Sequence, residues 1–258
     1  MENLISKIET IYWFINRPRF YPYFFELIRR RLLRKNDNFK RSFAEERCRL
    51  LSVDLSLAID QIFTTPSKKD FFIDFKSEIE KAQLKINNAP VSLGGAGGLN
   101  LLYNVVLNGK PNNILETGVA FGWSSFSILA GISKNDIGRL ISVDMPYPKL
   151  ENEEYVGFAI PNKLKSKWFL IREPDRFGLL KALKKLNWRI DLCHYDSDKS
   201  YSGRLWAYPI LWKYLSENGI FISDDVQDNS AFIEFSQSVN KQPIFTECEN
   251  KYIGILIK

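Results

Sequence analysis

Five apolar runs of strand length lie between residues 113 and 225: NILET (113–117), RLISVD (139–144), KWFLIR (167–172), IDLCHYD (190–196) and GIFISDD (219–225). All but the second lead into helix-length segments, WSSFSILAGI, RFGLLKALKKL, RLWAYPILWKYL and NSAFIEFSQSV. Strands separated by helices of this length require crossover connections, so they lie parallel with both sheet faces covered. The chain then changes rhythm. PIFTEC and YIGILIK are joined only by ENK, too short for a crossover, and must form an antiparallel hairpin. The fold class is α/β, closed by a β-hairpin that a dinucleotide-binding arrangement does not usually carry.

Residues 1–88 read instead as an α-helical N-terminal region. Leu4, Ile8, Ile11 and Ile15 recur at helical spacing, as do Leu51, Leu55, Ala58 and Ile62, and again Phe71, Phe75, Ile79, Ala82 and Ile86. Pro22 suits a first helical turn and Ser67 a cap. The punctuation NNAPVSLGGAGG (87–98) sets the domain boundary, giving regions 1–88 and 89–258. Charge divides along the same line. Residues 1–49 hold 12 Lys/Arg against 6 Asp/Glu, so the whole net charge of +6 sits there. The aromatic stretch FYPYFFELI runs into RRRLLRK (29–35), which fits contact with an anionic membrane surface or a homo-oligomer interface through the N-terminal helices. The plain alternative is a solvated basic helix. Three widely spaced cysteines, Cys48, Cys193 and Cys248, imply free thiols in a reducing compartment. With no membrane-length apolar run or signal peptide, the expectation is a cytoplasmic protein, membrane-peripheral at most. The charge-balanced remainder gives no reason to expect specific nucleic-acid binding.

The first strand ends in ETGVAFG, where Gly118 and Gly122 flank a tight turn into a helix and Ala120 stands between them. A pyrophosphate-binding turn would carry G-x-G-x-x-G. This one lacks the second glycine and places Glu116 beside it, an acid that would repel phosphate. Asp144 ends the second strand, where a carboxylate can accept ribose hydroxyls. Asp196 ends the fourth strand, and Asp224 and Asp225 the fifth.

In their order, ILETGVAFGWSS, LISVD, IDLCHYDSDKSY, NGIFISDDV and the terminal hairpin resemble the class I S-adenosylmethionine-dependent methyltransferases over roughly residues 90–258. The resemblance implies a seven-stranded, mostly parallel Rossmann-like sheet with an antiparallel last strand. It implies S-adenosylmethionine bound by Glu116, Gly118, Ala120, Gly122, Asp144 and Asp175, with Glu116 near the ammonium of the cofactor's amino-acid tail. The family usually has glycine at the position of Ala120. Asp196, Asp224 and Asp225 are similar to the Asp and Asp-Asn ligands of the metal-dependent, catechol O-methyltransferase-like branch. The likeness implies Mg²⁺ or another divalent cation there, and the catalytic pair Asp196 and Lys199, with Lys199 as base. Three crowded carboxylates need a neutralising cation, and oxygen-only ligands favour a hard one. Alternatively, Asp224 and Asp225 simply cap a helix. The acceptor expected is a small polyhydroxylated molecule, sugar or glycan, with residues 145–166 as part of its pocket or lid. Two other readings use the same residues: a nucleotide-sugar glycosyltransferase built on Asp196-x-Asp198, and a non-catalytic methyltransferase-like binding protein. His194, the only histidine, reads as a hydrogen-bonded interior residue.

Overall fold

The structure, a computed structural model, describes residues 2–32, 38–95, 97–146 and 153–258, without the side chains of 2–7 and 30–32. The side chains of Leu4 and of the basic run from residue 30 to 35, Ala96 of the glycine stretch, and residues 147–152 of the expected lid lie outside the described residues.

Helices α1 (Glu2–Ile15), α2 (Tyr21–Leu32), α3 (Arg41–Leu51), α4 (Leu55–Ile62), α5 (Phe71–Asp74) and α6 (Lys76–Asn87) form the N-terminal region, with strand β1 (Ser52–Val53) between α3 and α4. Helix α7 (Leu99–Gly109) leads into β2 (Asn113–Thr117), α8 (Trp123–Asn135), β3 (Arg139–Val143), β4 (Trp168–Ile171) and α9 (Asp175–Lys185). Then come β5 (Ile190–Tyr195), α10 (Tyr201–Tyr214), β6 (Leu215–Ser223), α11 (Ala231–Ser238) and the hairpin β7 (Ile244–Cys248) and β8 (Lys251–Ile257).

The sheet runs β1-β7-β8-β6-β5-β2-β3-β4, and only β8 is antiparallel to its neighbours. It has eight strands among the described residues, one more than the expected seven. The extra strand interrupts the stripe Leu51–Ile62 that the periodicity read as one helix. Ser52 and Val53 instead pair with Phe245 and Thr246, and Asp54 restarts the helix by accepting the Leu57 amide at 2.9 Å. The next stripe also divides, at Phe75, with Asp70 rather than Ser67 as the cap.

Alternation along the strands gives each face its own core. Ile114, Leu140, Leu192 and Ile222 face α7 and α8, whereas Leu115, Ile141, Cys193 and Phe221 face α9, α10 and α11. Packing runs across the 88/89 position: Ile59, Phe71, Phe75 and Ala82 join the first core, Ala44 and Cys48 the second. Trp13, Phe14 and Phe20 form a separate aromatic cluster that meets Met145 just beyond β3.

Register decides what stands at the carboxyl edge. Val143, Thr117, Tyr195 and Ser223 form one row across β3, β2, β5 and β6. The next residue on each strand is therefore Asp144, Gly118, Asp196 and Asp224, the end at which open α/β sheets bind ligands. Backbone bonds hold the row together: Gly118 N donates to Val143 O at 2.8 Å, Asp196 N to Thr117 O at 2.9 Å and Asp224 N to Tyr195 O at 3.1 Å.

Candidate active site

The turn after β2 is shaped by conformations that side chains disfavour. Gly118 and Gly122 have φ of +79° and +87°, and Ala120 sits at +50°. A Cβ on Gly118 would lie 2.3 Å from the Asp196 carbonyl oxygen, so this loop crosses directly over the end of β5. The later part of the expected lid segment braces it, with Gly157 N donating to Ala120 O at 3.0 Å and Ala159 N to Phe121 O at 2.8 Å.

Glu116 is two residues short of the edge and wholly buried. Its carboxylate accepts from Ser124 Oγ at 2.7 Å, Ser142 Oγ at 2.7 Å and Ser125 Oγ, and His194 Nδ1 lies 3.6 Å away. It therefore ties α8 to the sheet beneath the glycine turn and lines neither of the two cavities at the sheet edge. His194, 1% exposed, lies between Glu116 and Asp224, whose Oδ1 is 3.4 Å from Nε2. Burial works against the imidazolium, but Asp224 and Glu116 together outweigh it and raise His194 to about 10.

Two cavities open along the edge. One, about 420 Å³, runs between Asp144, Met145 and Pro146 on one side and Asp175, Asp196 and Trp206 on the other, with α2 contributing Tyr23, Glu26 and Leu27. Asp144 is 4% exposed and accepts from Val119 N at 3.4 Å and from Arg172 Nη1. Burial raises its pKa, while Arg172 acts the other way. Asp175 accepts from Ser197 Oγ at 2.5 Å and Tyr195 OH at 3.3 Å, and burial lifts it to about 6. Five carboxylates line this cavity (Glu26, Asp144, Asp175, Asp196, Asp198) against two cations, Arg176 and Lys199. That donor set fits a nucleoside carrying a sulfonium and an ammonium and would repel a pyrophosphate. The residues present thus fit S-adenosylmethionine, for which Asp144 would be available to ribose hydroxyls, Pro146 and Pro174 would be apolar walls and Gly118 would allow a close backbone approach.

The second cavity, about 330 Å³, lies between the glycine turn, the hairpin β7–β8 and the glycines Gly94, Gly95, Gly97 and Gly98. The sequence marks 94–98 only as punctuation. In the fold Gly94, Gly95, Gly97 and Gly98 wall a cavity opposite Ala120 and Trp123, and a Cβ on Gly95 or Gly97 would meet nothing within 4 Å. The clustered glycines were the available signal.

The acidic residues at the edge are not grouped as the metal reading expects. Lys199 Nζ lies 2.8 Å from Asp196 Oδ1 and also contacts Asp225 Oδ2. Lys251 Nζ approaches Asp225 Oδ1 at 3.1 Å, and Asp224 faces His194. Each carboxylate thus faces a protein cation. No three His, Cys, Asp or Glu side chains among the described residues are arranged to hold a metal ion. The residues as arranged do not fit Mg²⁺ at Asp196, Asp224 and Asp225. Lysine and histidine supply the neutralising charge that the crowded carboxylates need. Nor do Asp224 and Asp225 cap a helix, since Asp225 stands at φ +51° before a short 3₁₀ turn and accepts no capping bond.

Burial works against the charge of Lys199, yet Asp196 and Asp225 overcome it and hold the ammonium well above its ordinary range. That is opposite to what a lysine base requires. Asp196 is raised to about 6 by burial and by the Asp224 charge. Asp198 accepts from Ser200 Oγ at 2.7 Å and Ser200 N at 3.2 Å, and its side chain packs over Gly203. It serves the start of α10 while sharing the first cavity with Asp196.

One residue that pattern reading missed is Arg204, fully buried on α10. Its Nη2 donates to the carbonyls of Asp224 at 2.9 Å and Asp225 at 2.8 Å, which fixes the turn that carries both acids. An arginine within the apolar helix RLWAYPILWKYL was the only signal.

Residues 115–226 match the family model described as a methyltransferase domain. No curated protein sequence matches the chain. Among solved structures, a methyltransferase from Geobacter sulfurreducens is 16% identical, with 80% of this chain and 99% of that one covered, at a TM-score of 0.54. Cofactor-bound Rv0187 from MTB is 14% identical over 75% of this chain and 98% of that one, at 0.51. The SAH-bound Podospora anserina methyltransferase PaMTH1 is 14% identical over 79% and 94%, at 0.50. At such identity these likenesses speak for the fold. Residues 115–226 thus match a methyltransferase domain in sequence, and the fold is one shared with solved methyltransferases.

Proposed function

We propose that the protein transfers a methyl group from S-adenosylmethionine to a hydroxyl of a small polyhydroxylated, sugar or glycan acceptor. The observation that carries this reading is that the two cavities share Gly118, Asp196, Ser197 and Lys199 as walls. A donor in the carboxylate-lined cavity and an acceptor in the other therefore meet at Asp196. S-adenosylmethionine, when bound, supplies an electrophilic methyl carbon on sulfur. Asp196 accepts the hydroxyl proton, which its raised pKa favours over that of an ordinary aspartate. The oxygen's electron pair forms the new C–O bond, and the pair of the broken C–S bond stays on sulfur. Lys199 remains an ammonium throughout and holds Asp196 in place. Trp123, Asp224 and Lys251 line the acceptor cavity, a mixture of an aromatic face and charged hydrogen-bonding groups that suits a sugar.

The test is transfer of labelled methyl from S-adenosylmethionine to a panel of sugars and polyols. Asp196→Asn should bind the cofactor normally and transfer at least about a hundredfold more slowly. Transfer at the wild-type rate would remove Asp196 from the chemistry.

The outward faces of the N-terminal helices support a peripheral role. Ile8, Ile11 and Ile15 on α1 and Phe25 on α2 are exposed at 58, 46, 57 and 64%, in the part of the chain that carries the excess positive charge. Such a surface favours an anionic membrane over a second copy of an equally basic chain. No helix among the described residues is long and apolar enough to cross a membrane.

A further inference from the structure

We infer that the Lys199 ammonium takes the place of a divalent cation at this edge, so that the site works without a metal ion. The inference rests on the methyl-transfer reading for its chemistry, but its geometry stands alone. Asp196 and Asp225 come from adjacent strand ends, and Lys199 Nζ is the atom that touches both. Three further contacts build that arrangement. Arg204 binds the carbonyls of Asp224 and Asp225 and sets the left-handed turn at Asp225. Asn229 Nδ2 donates to the Lys199 carbonyl at 2.9 Å, which fixes the backbone beneath the ammonium. Lys251, from the hairpin, takes the other oxygen of Asp225. Asp224, the remaining carboxylate, is turned to His194. A divalent ion bound by these carboxylates would have to displace two ammonium groups and sit against a third cationic side chain, a repulsion that a hard ion's oxygen ligands would not offset. The role left to Lys199 is positional: one fixed positive charge beside the proton-accepting Asp196.

Mn²⁺ titration of the intact protein, followed by electron paramagnetic resonance with and without S-adenosylmethionine, tests this directly. The wild type is expected to bind no Mn²⁺ more tightly than about 1 mM. Lys199→Met, and Lys199→Gln as a second variant should the first fold poorly, should bind it about tenfold or more tightly, with Asp196 and Asp225 released. Tighter one-to-one binding by the wild type that Asp196→Asn abolishes would overturn the inference, as would a folded Lys199 variant that gains no affinity. Calorimetry with S-adenosylmethionine in chelator separates the two ideas. Absence of cofactor binding counts against the methyl-transfer reading, whereas binding that appears only when Mg²⁺ is restored counts against the metal-free site.

Discussion

At the scale of single residues, the site is a chain of charges in which every acid has a partner and the partners set the chemistry. His194 is the deepest link. Its folded pKa is raised to about 10, against an ordinary value of 6.5. A raised histidine contributes stability that is complete below its unfolded pKa and is lost as pH climbs through the folded one. Stability should therefore decline between roughly pH 6.5 and 10 in urea titrations. His194→Gln should lose that alkaline slope and cost about 3 kcal/mol at pH 7, since it leaves Glu116 and Asp224 without their shared cation. An unchanged slope in the variant would assign the pH dependence elsewhere. Asp196, raised to about 6, makes the complementary prediction for catalysis. Methyl transfer should rise through about pH 6 as the carboxylate ionises, and hold above it, because Lys199 keeps its charge there. A profile climbing instead toward pH 9 or beyond would indicate a lysine base.

At the scale of elements, two turns decide whether these residues meet. Arg204 pins the turn after β6, so Arg204→Met should destabilise the fold by about 3–5 kcal/mol in denaturant unfolding, because two buried carbonyls lose their donor. Gly118→Ala places a methyl against the Asp196 carbonyl and should abolish cofactor binding by calorimetry while Tm falls only modestly. The five βα-type strands and the hairpin were legible because period and connection length are strong, local signals. Asp144, Gly118, Asp196 and Asp224 could be placed at one edge for the same reason: each ends its strand. Strand β1 was not legible, since two residues carry no periodicity and Ser52–Val53 owes its pairing to β7. The full burial of Glu116 follows from a two-residue offset from the edge that sequence cannot convert into depth. The pairing of these carboxylates with cations depends on Lys251 and His194, which spacing alone does not connect to Asp225 and Asp224.

At the scale of the whole molecule, an α/β region with neutral charge balance carries a basic N-terminal region whose α2 also walls the larger of the two edge cavities. Arg176 on α9 links the two, donating to Glu26 at 2.8 Å and lying over the Trp206 ring at 4.8 Å. The membrane role proposed for the outer faces predicts that Ile8→Ser, Ile11→Ser and Ile15→Ser together reduce co-sedimentation with anionic vesicles and leave Tm unchanged. Equal sedimentation of the triple variant would discard that role. On the proposed reading, the cavity is lined for a cationic nucleoside and holds it without a metal ion. Isothermal titration of the full chain with S-adenosylmethionine in chelator measures this most directly. Saturable one-to-one binding, with no competition from NAD, is the predicted result; absence of binding, or displacement by NAD or a nucleotide sugar, would contradict it.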